Sequence, residues 1–254
     1  MLKKMIALIG AMIALVTLSG CIEIESVISL KKDGSGILTE TLNMGAQAAA
    51  MMKVRSAEGA GGLLARFDEK SLKERVKTMG EGVELVGVEK IEGTDGSLSL
   101  VTTYKFSDIS NLIYDPKSVL EKDEIPMSEK EKMFSFKDGE LTIAIPNPNE
   151  DSFALGNQGL AEEELAMMAP MLTGTKGTVK IVSEGGIAST NATFHEGNTI
   201  TLVSMDFDEI MKNEEGLKAL TQLQGETREE FAQAVARVKG MDVETKAEVK
   251  IKLK

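Results

Sequence analysis

Three pairs of short stretches, each joined by a glycine-containing turn, constrain this chain most. Ile22, Ile24, Ile28 and Leu30 fall on one face of a first strand. Lys32-Asp33-Gly34-Ser35-Gly36 reads as a turn, and residues 37–44 as the partner strand. Residues 83–91 and 98–106 flank Gly93-Thr94-Asp95-Gly96, with Leu98, Leu100, Thr102, Tyr104 and Phe106 alternating toward one side. Residues 133–136 and 141–145 flank Lys137-Asp138-Gly139-Glu140. Tight turns make consecutive strands antiparallel neighbours.

Helical patterns lie between these hairpins. Asn43 is placed to cap a helix through about residue 57, and Ser71 and Glu74 have capping-box spacing within a second, residues 64–79. Ser107 or Asp108 can open a short turn. Residues 115–132 read as a charged loop and 147–159 as turn-rich, while Glu162-Glu163-Glu164 suit the start of a helix. Strands are predicted over 177–183 and 199–207, around an irregular stretch 185–197. A helical insertion, 208–240, holds a helix from about Glu209 and another opened by Thr227 and Glu230. The chain ends with Val243, Thr245, Ala247, Val249, Ile251 and Leu253 alternating with charged residues, which predicts one long amphipathic strand. Its Lys250 and Lys252 are expected to face Glu23 and Glu25 of the first strand. The fold class is α+β: an antiparallel, hairpin-rich curved sheet with helices packed on one face.

The N-terminus carries a different kind of signal. Lys3 and Lys4 precede an uncharged stretch, residues 5–18. A bilayer-spanning helix needs roughly 20 apolar residues, so this run has the proportions of a secretory leader. Leu18-Ser19-Gly20-Cys21 follows, and Cys21 is the only cysteine. This stretch resembles a bacterial lipoprotein signal. The resemblance implies that Leu18, Ser19 and Gly20 are read by the processing enzymes and that residues 1–20 are removed. Cys21 then carries a diacylglyceryl thioether, with its amine acylated as well, for example by palmitate. Residues 21–254 would form a single lipid-anchored ectodomain. Ile22, where an Asp would favour the inner membrane, implies the outer membrane, or the outer face of the only membrane in a single-membraned host.

A net charge of −11 argues against a nucleic-acid partner and against adsorption to anionic headgroups. With one cysteine there is no internal disulfide. The chain has no Trp, two Tyr and 15 Met, so its core is aliphatic and methionine-rich. His195, the only histidine, lies in a strand-to-turn segment and reads as a solvated turn residue. Asn147, Asn149 and Asp151 begin like a calcium loop, which then fails at Ser152 and Gln158. Asp206, Asp208 and Glu209 cluster at a strand-to-helix junction, where Asp208 is most simply an N-cap. Met51-Met52 and Met167-Met168-x-x-Met171 have soft-ligand chemistry but lack a supporting His or Cys. The same stretches, 48–52 and 165–171, suit adaptable apolar surfaces for lipid or a partner helix. No phosphate-binding or dinucleotide motif is present, so no cofactor is indicated.

Two stretches resemble the LppM-type lipoproteins: the strand-turn-strand around Asp33-Gly34-Ser35-Gly36, and Gly185-Gly186-Ile187-Ala188-Ser189-Thr190-Asn191-Ala192 followed by Gly197-Asn198-Thr199-Ile200-Thr201-Leu202. This chain has Leu202-Val203 where that group has a Trp. The resemblance implies an α+β lipoprotein domain that contacts lipid. The expected function is a non-enzymatic envelope lipoprotein that binds lipid or another envelope protein. The alternative is an envelope hydrolase or metal-binding protein built on the carboxylate cluster.

Overall fold

The computed structural model describes residues 22–57, 63–115, 132–146, 172–213 and 227–254. The leader and Cys21 lie outside the described residues, as do the incomplete calcium-loop spacing at Asn147, Asn149 and Asp151 and the methionines Met167, Met168 and Met171. The fold is α+β, with twelve strands and four α-helices among the described residues.

The first hairpin forms as its turn chemistry dictates. β1 (Ile22–Leu30) and β2 (Gly36–Met44) pair antiparallel from Ile22↔Met44 to Leu30↔Gly36. The Asp33 carboxylate accepts hydrogen bonds from the Ser35 amide and hydroxyl at 3.0 and 2.7 Å, which closes the turn. β3 (Val83–Glu92) and β4 (Leu98–Phe106) form the second hairpin, and β4 pairs with β2. On the other side β1 runs parallel to β7 (Lys176–Ser183), which leads to β10 (Thr199–Asp206) and β11 (Met241–Val243). The order β11-β10-β7-β1-β2-β4-β3, with β9 (His195–Glu196) on β10, makes an eight-stranded sheet.

The single curved sheet expected from the sequence is in fact two sheets. β5 (Phe134–Lys137), β6 (Glu140–Ala144), β12 (Glu248–Leu253) and β8 (Ile187–Thr190) form a second sheet, in the order β5-β6-β12-β8. The terminal segment is therefore not one strand. The alternation breaks where Val243 and Glu244 are both buried in succession. The Glu244 carboxylate accepts from the Thr193 amide at 2.6 Å, the Thr193 hydroxyl at 2.9 Å and the Lys246 amide at 3.1 Å. That bonding holds the bend that carries the chain from β11 in one sheet to β12 in the other.

The expected pairing of Lys250 and Lys252 with Glu23 and Glu25 does not form, because β12 is remote from β1 in the sheet order. Lys250 pairs with Glu248 at 2.9 Å, and Lys252 donates to the Asp138 carbonyl at 2.6 Å. Glu25 takes Lys180 at 2.8 Å instead, and Glu23 accepts from the Asn43 side-chain amide at 3.2 Å.

Helix starts also differ from expectation. α1 (Ala46–Ala57) begins beyond Asn43, which remains in β2 and accepts from the Ser99 hydroxyl at 2.7 Å. The second helical stretch divides into a 3-10 turn (Leu63–Phe67) and α2 (Glu69–Val76). Asp68, not Ser71, is its N-cap and accepts from the Ser71 amide at 2.7 Å. In the 208–240 region, α3 (Phe207–Met211) and α4 (Arg228–Val235) are described, and the Thr227–Glu230 capping box forms.

One face of the large sheet is buried. Its larger cluster joins Ile28, Leu30, Leu38, Tyr104 and Phe106 to Leu141, Ile143, Val249 and Ile251 of the second sheet. A smaller cluster gathers Leu42, Met44, Leu98 and Leu100 with Ala48, Ala49 and Phe67. The first hairpin needs close approach at Gly36, where a Cβ would lie 2.1 Å from the Ser29 carbonyl oxygen and 2.5 Å from the Phe106 ring. Gly36→Ala is expected to cost about 1–3 kcal/mol through forced backbone and side-chain shifts. Urea unfolding checks this: the midpoint should fall with little change in slope.

Candidate functional site

Glu40 is the acidic residue on the buried face of β2, in a row otherwise occupied by Gly36, Leu38, Leu42 and Met44. Its neighbours across the sheet are Ser26 on β1 and Thr102 on β4, both also buried. This polar row separates the two apolar clusters. Burying a lone carboxylate is costly, so a partner is required. Arg75, in the last turn of α2, supplies it. The guanidinium clamps the carboxylate at both ends, Nη1 to Oε2 and Nη2 to Oε1, the latter at 2.8 Å. Glu40's side chain is 0% exposed and Arg75's 13%. Nη1 also donates to the Tyr104 hydroxyl at 3.2 Å, and the guanidinium carbon stands 5.5 Å from that ring's centroid.

The electrostatics follow from burial and this pair. Burial opposes the Arg75 charge, but the Glu40 carboxylate, by charge and hydrogen bond, more than offsets it and holds Arg75 above its usual value. Burial pushes Tyr104 up to about 12; Arg75 opposes that rise and Glu40 adds to it. Tyr114, whose buried hydroxyl sits near Ser26 without a well-formed hydrogen bond, is pushed up chiefly by burial and next by Glu40. Both Glu40 oxygens are engaged by the guanidinium, so the carboxylate is held in a bidentate ion pair. The sequence did carry a trace of it: an acid at the centre of an apolar period-two face.

The carboxylates singled out in the sequence have structural partners. Asp206, rather than Asp208, is the N-cap of α3, accepting from the Asp208 and Glu209 amides at 3.1 and 3.3 Å. It also pairs with Lys176 at 2.8 Å, whose hydrogen bond and charge hold its carboxyl below the usual range. Asp208 accepts from the Gly174 amide at 2.8 Å, and Glu209 pairs with Lys212 at 2.7 Å. His195 is exposed in β9, with Nε2 2.8 Å from the Gly197 carbonyl oxygen. Among the described residues, no three His, Cys, Asp or Glu side chains come together as a metal site.

The second notable region is the end of the large sheet where β1 starts. Ile22 pairs with Met44, and only Gly45 separates Met44 from α1. Glu23 shares a row with Asn43, Ser99 and Ile91 across β1, β2, β4 and β3. In α1, Ala48 and Ala49 are buried, and Met52 packs on the smaller cluster. Met51, on the other side of the helix, is 51% exposed. Of the two candidate methionines in this helix, one is thus core and the other surface. No helix among the described residues is long and apolar enough to cross a membrane.

The chain matches no protein-family model and no curated protein. Among solved structures it is similar to the folded domain of LppM from Mycobacterium tuberculosis, determined by NMR. Identity is 10%, the TM-score is 0.28, and the match covers 72% of this chain and 81% of that one.

Two outcomes follow from the buried pair. Arg75→Met leaves the Glu40 charge buried alone and is expected to cost about 3–5 kcal/mol, whereas Glu40→Leu combined with Arg75→Met should recover most of the loss. Urea unfolding of the single and double variants reads the coupling. The second concerns alkali. Tyr104 and Tyr114 are the only tyrosines, and both have raised values. Raised values mean the folded state holds the phenolic protons longer. Their contribution is therefore complete below the ordinary value of 10.0 and is lost as pH climbs toward about 12. Phenolate absorbance should appear late and together with unfolding by circular dichroism; free titration near 10.0 in the folded protein would contradict the site.

Proposed function

We propose that this protein is a lipid-anchored envelope lipoprotein that acts as a non-enzymatic binding or interaction module. The observation that carries it is Leu18-Ser19-Gly20-Cys21 after a basic and apolar leader, with Cys21 the only cysteine in the chain. Two acyl chains hold a protein at a bilayer where one binds marginally, so modified Cys21 suffices as the anchor. The fold is consistent with this role, since the first strand starts at Ile22 and leaves almost no tether. The engagement of Asp206, Asp208 and Glu209 in a cap, a loop contact and ion pairs supports a binding module over a hydrolase. Ile22 after the acylated residue supports the outer membrane as the destination, and lipid or another envelope protein as the partner.

The test is the chemistry of the mature N-terminus. Protein isolated from membranes should begin at Cys21 and carry the mass of a diacylglyceryl group plus an amide-linked acyl chain. It should enter the detergent phase of Triton X-114. Cys21→Ser should accumulate as an unacylated precursor. A mature chain that starts elsewhere, or an unmodified Cys21, rejects the reading.

A further inference from the structure

Exposed apolar side chains are concentrated at the end of the domain where the anchor joins. The large exposed hydrophobics among the described residues are Met51, Val54, Val86 and Ile91, at 51%, 60%, 60% and 54%. Three of these, Met51, Val54 and Ile91, sit at the β1-start end. α1 leaves Met44, the partner of Ile22, after a single residue. Ile91 lies in the same cross-strand row as Glu23, on the sheet face opposite the one that α1 covers. α1 and the β3–β4 hairpin are also in contact: Lys53 pairs with Glu92 at 3.5 Å, and a Cβ on Gly96 would meet the Ala46 methyl at 3.6 Å.

α1 is apolar on two sides. Ala48, Ala49 and Met52 face the smaller cluster, while Ala50, Met51 and Val54, at i, i+1 and i+4, form an outward stripe. The sequence AQAAAMMKVRSA contains no acidic residue, in a chain whose net charge is −11. The other described α-helices each carry acids in the first turn: Glu69, then Asp208 and Glu209, then Glu229 and Glu230. Several carboxylates close to this end have local partners, although only the lysines on Glu92 offset a charge. Glu92 pairs with Lys53 and Lys90, Glu23 accepts from Asn43, and Asp95 accepts from the Ser97 amide and hydroxyl.

We infer that Met51 and Val54 form a foot by which the anchored domain rests on the bilayer, inserted at the headgroup–acyl boundary. The occupant is a bilayer rather than a protein because of position. The acylated residue precedes Ile22 directly, so the lipid chains hold this end within a few residues' reach of the membrane plane. An apolar stripe with a basic, acid-free composition suits that boundary. The foot gives the lipid-held domain a fixed orientation at the membrane. This inference rests on the acylation of Cys21.

The test uses the mature, acylated full-length protein in phosphatidylethanolamine–phosphatidylglycerol vesicles. Cys21 is blocked as a thioether, so a cysteine introduced by Met51→Cys, Val54→Cys, Ile91→Cys or Val86→Cys takes an environment-sensitive fluorophore uniquely. Val86 is the control. It follows Leu85, which shares a row with Ile28, about 20 Å along the sheet from Ile22 at ~3.3 Å per residue. Labels at Met51 and Val54 should be several-fold less quenched by aqueous iodide than the labels at Val86 and at Ile91 on the opposite face, and should be quenched by spin-labelled lipid. Met51→Glu, at an exposed position, should leave the urea midpoint unchanged yet open the Val54 label to iodide. Equal iodide access at all four positions in acylated protein overturns the foot alone. Shielding that grows with protein density and is insensitive to spin-labelled lipid overturns it in favour of a second copy. An unmodified Cys21, read by mass on the same sample, removes the anchor and the foot together.

Discussion

β1 is the strand on which the architecture depends. It forms two ladders, antiparallel to β2 and parallel to β7, and so holds β2, β4 and β3 to β7, β10 and β11. A parallel neighbour cannot be reached by a tight turn, so the chain must travel from Leu30 to Lys176 before closing that edge. In most proteins a terminal segment frays at little cost. Here the first described strand is central, and both of its edges are satisfied only when it is fully paired. The strand that joins the sheet is also the one that follows the proposed anchor without a linker. Pulling the anchored end away from the sheet would mean unzipping Glu23 and Ile24 from two partners at once, so the two roles reinforce each other.

Within that frame, the Glu40–Arg75 pair fixes the position of α2. A buried ion pair adds little net stability compared with apolar residues of the same size, because desolvation cancels much of the attraction. Its effect is selective. The carboxylate lies in the row between the two apolar clusters, and only a helix placed to bring Arg75 over that row satisfies it. Misplacing the helix leaves both charges buried and unpaired. The Tyr104 ring and hydroxyl complete the enclosure from β4, which ties the helix to two adjacent strands rather than one.

Local chemistry made much of this legible in the sequence. Asp33, Asp108 and Thr227 each act within a few residues of themselves, so their turns and caps formed where the pattern placed them. The hairpins were legible for the same reason. What failed depended on distant partners. Val243 to Leu253 alternates well enough to read as one strand, and only Thr193, far away in sequence, shows that Glu244 belongs in the interior. Lys250 and Lys252 looked complementary to Glu23 and Glu25, but complementarity of charge does not choose a neighbour when sheet order is unknown. Asn43 had the chemistry of a cap, yet Glu23 and Ser99 held it in a strand. Arg75 looked like any surface charge of a helix, since nothing near it in sequence reveals the carboxylate above which it lies.

The two apolar clusters divide the domain by distance from the anchor. The larger cluster, at the Leu30 end, is covered by a second sheet and includes aromatic rings such as Phe106 and Phe134. The smaller one, at the Ile22 end, is built from Leu, Met and Ala with Phe67, under a helix whose inward residues include alanines and a methionine. Small side chains let α1 approach closely but contribute little buried area, about 25 cal/mol for each Å² removed from water. The helix that binds its own core least strongly thus stands nearest the proposed lipid. Its outward residues are apolar as well. For a freely diffusing protein that combination is a liability, because it weakens attachment on one side and exposes apolar surface on the other. Beside a bilayer the same composition gains a second apolar environment, and the outward stripe becomes part of what holds the helix in place.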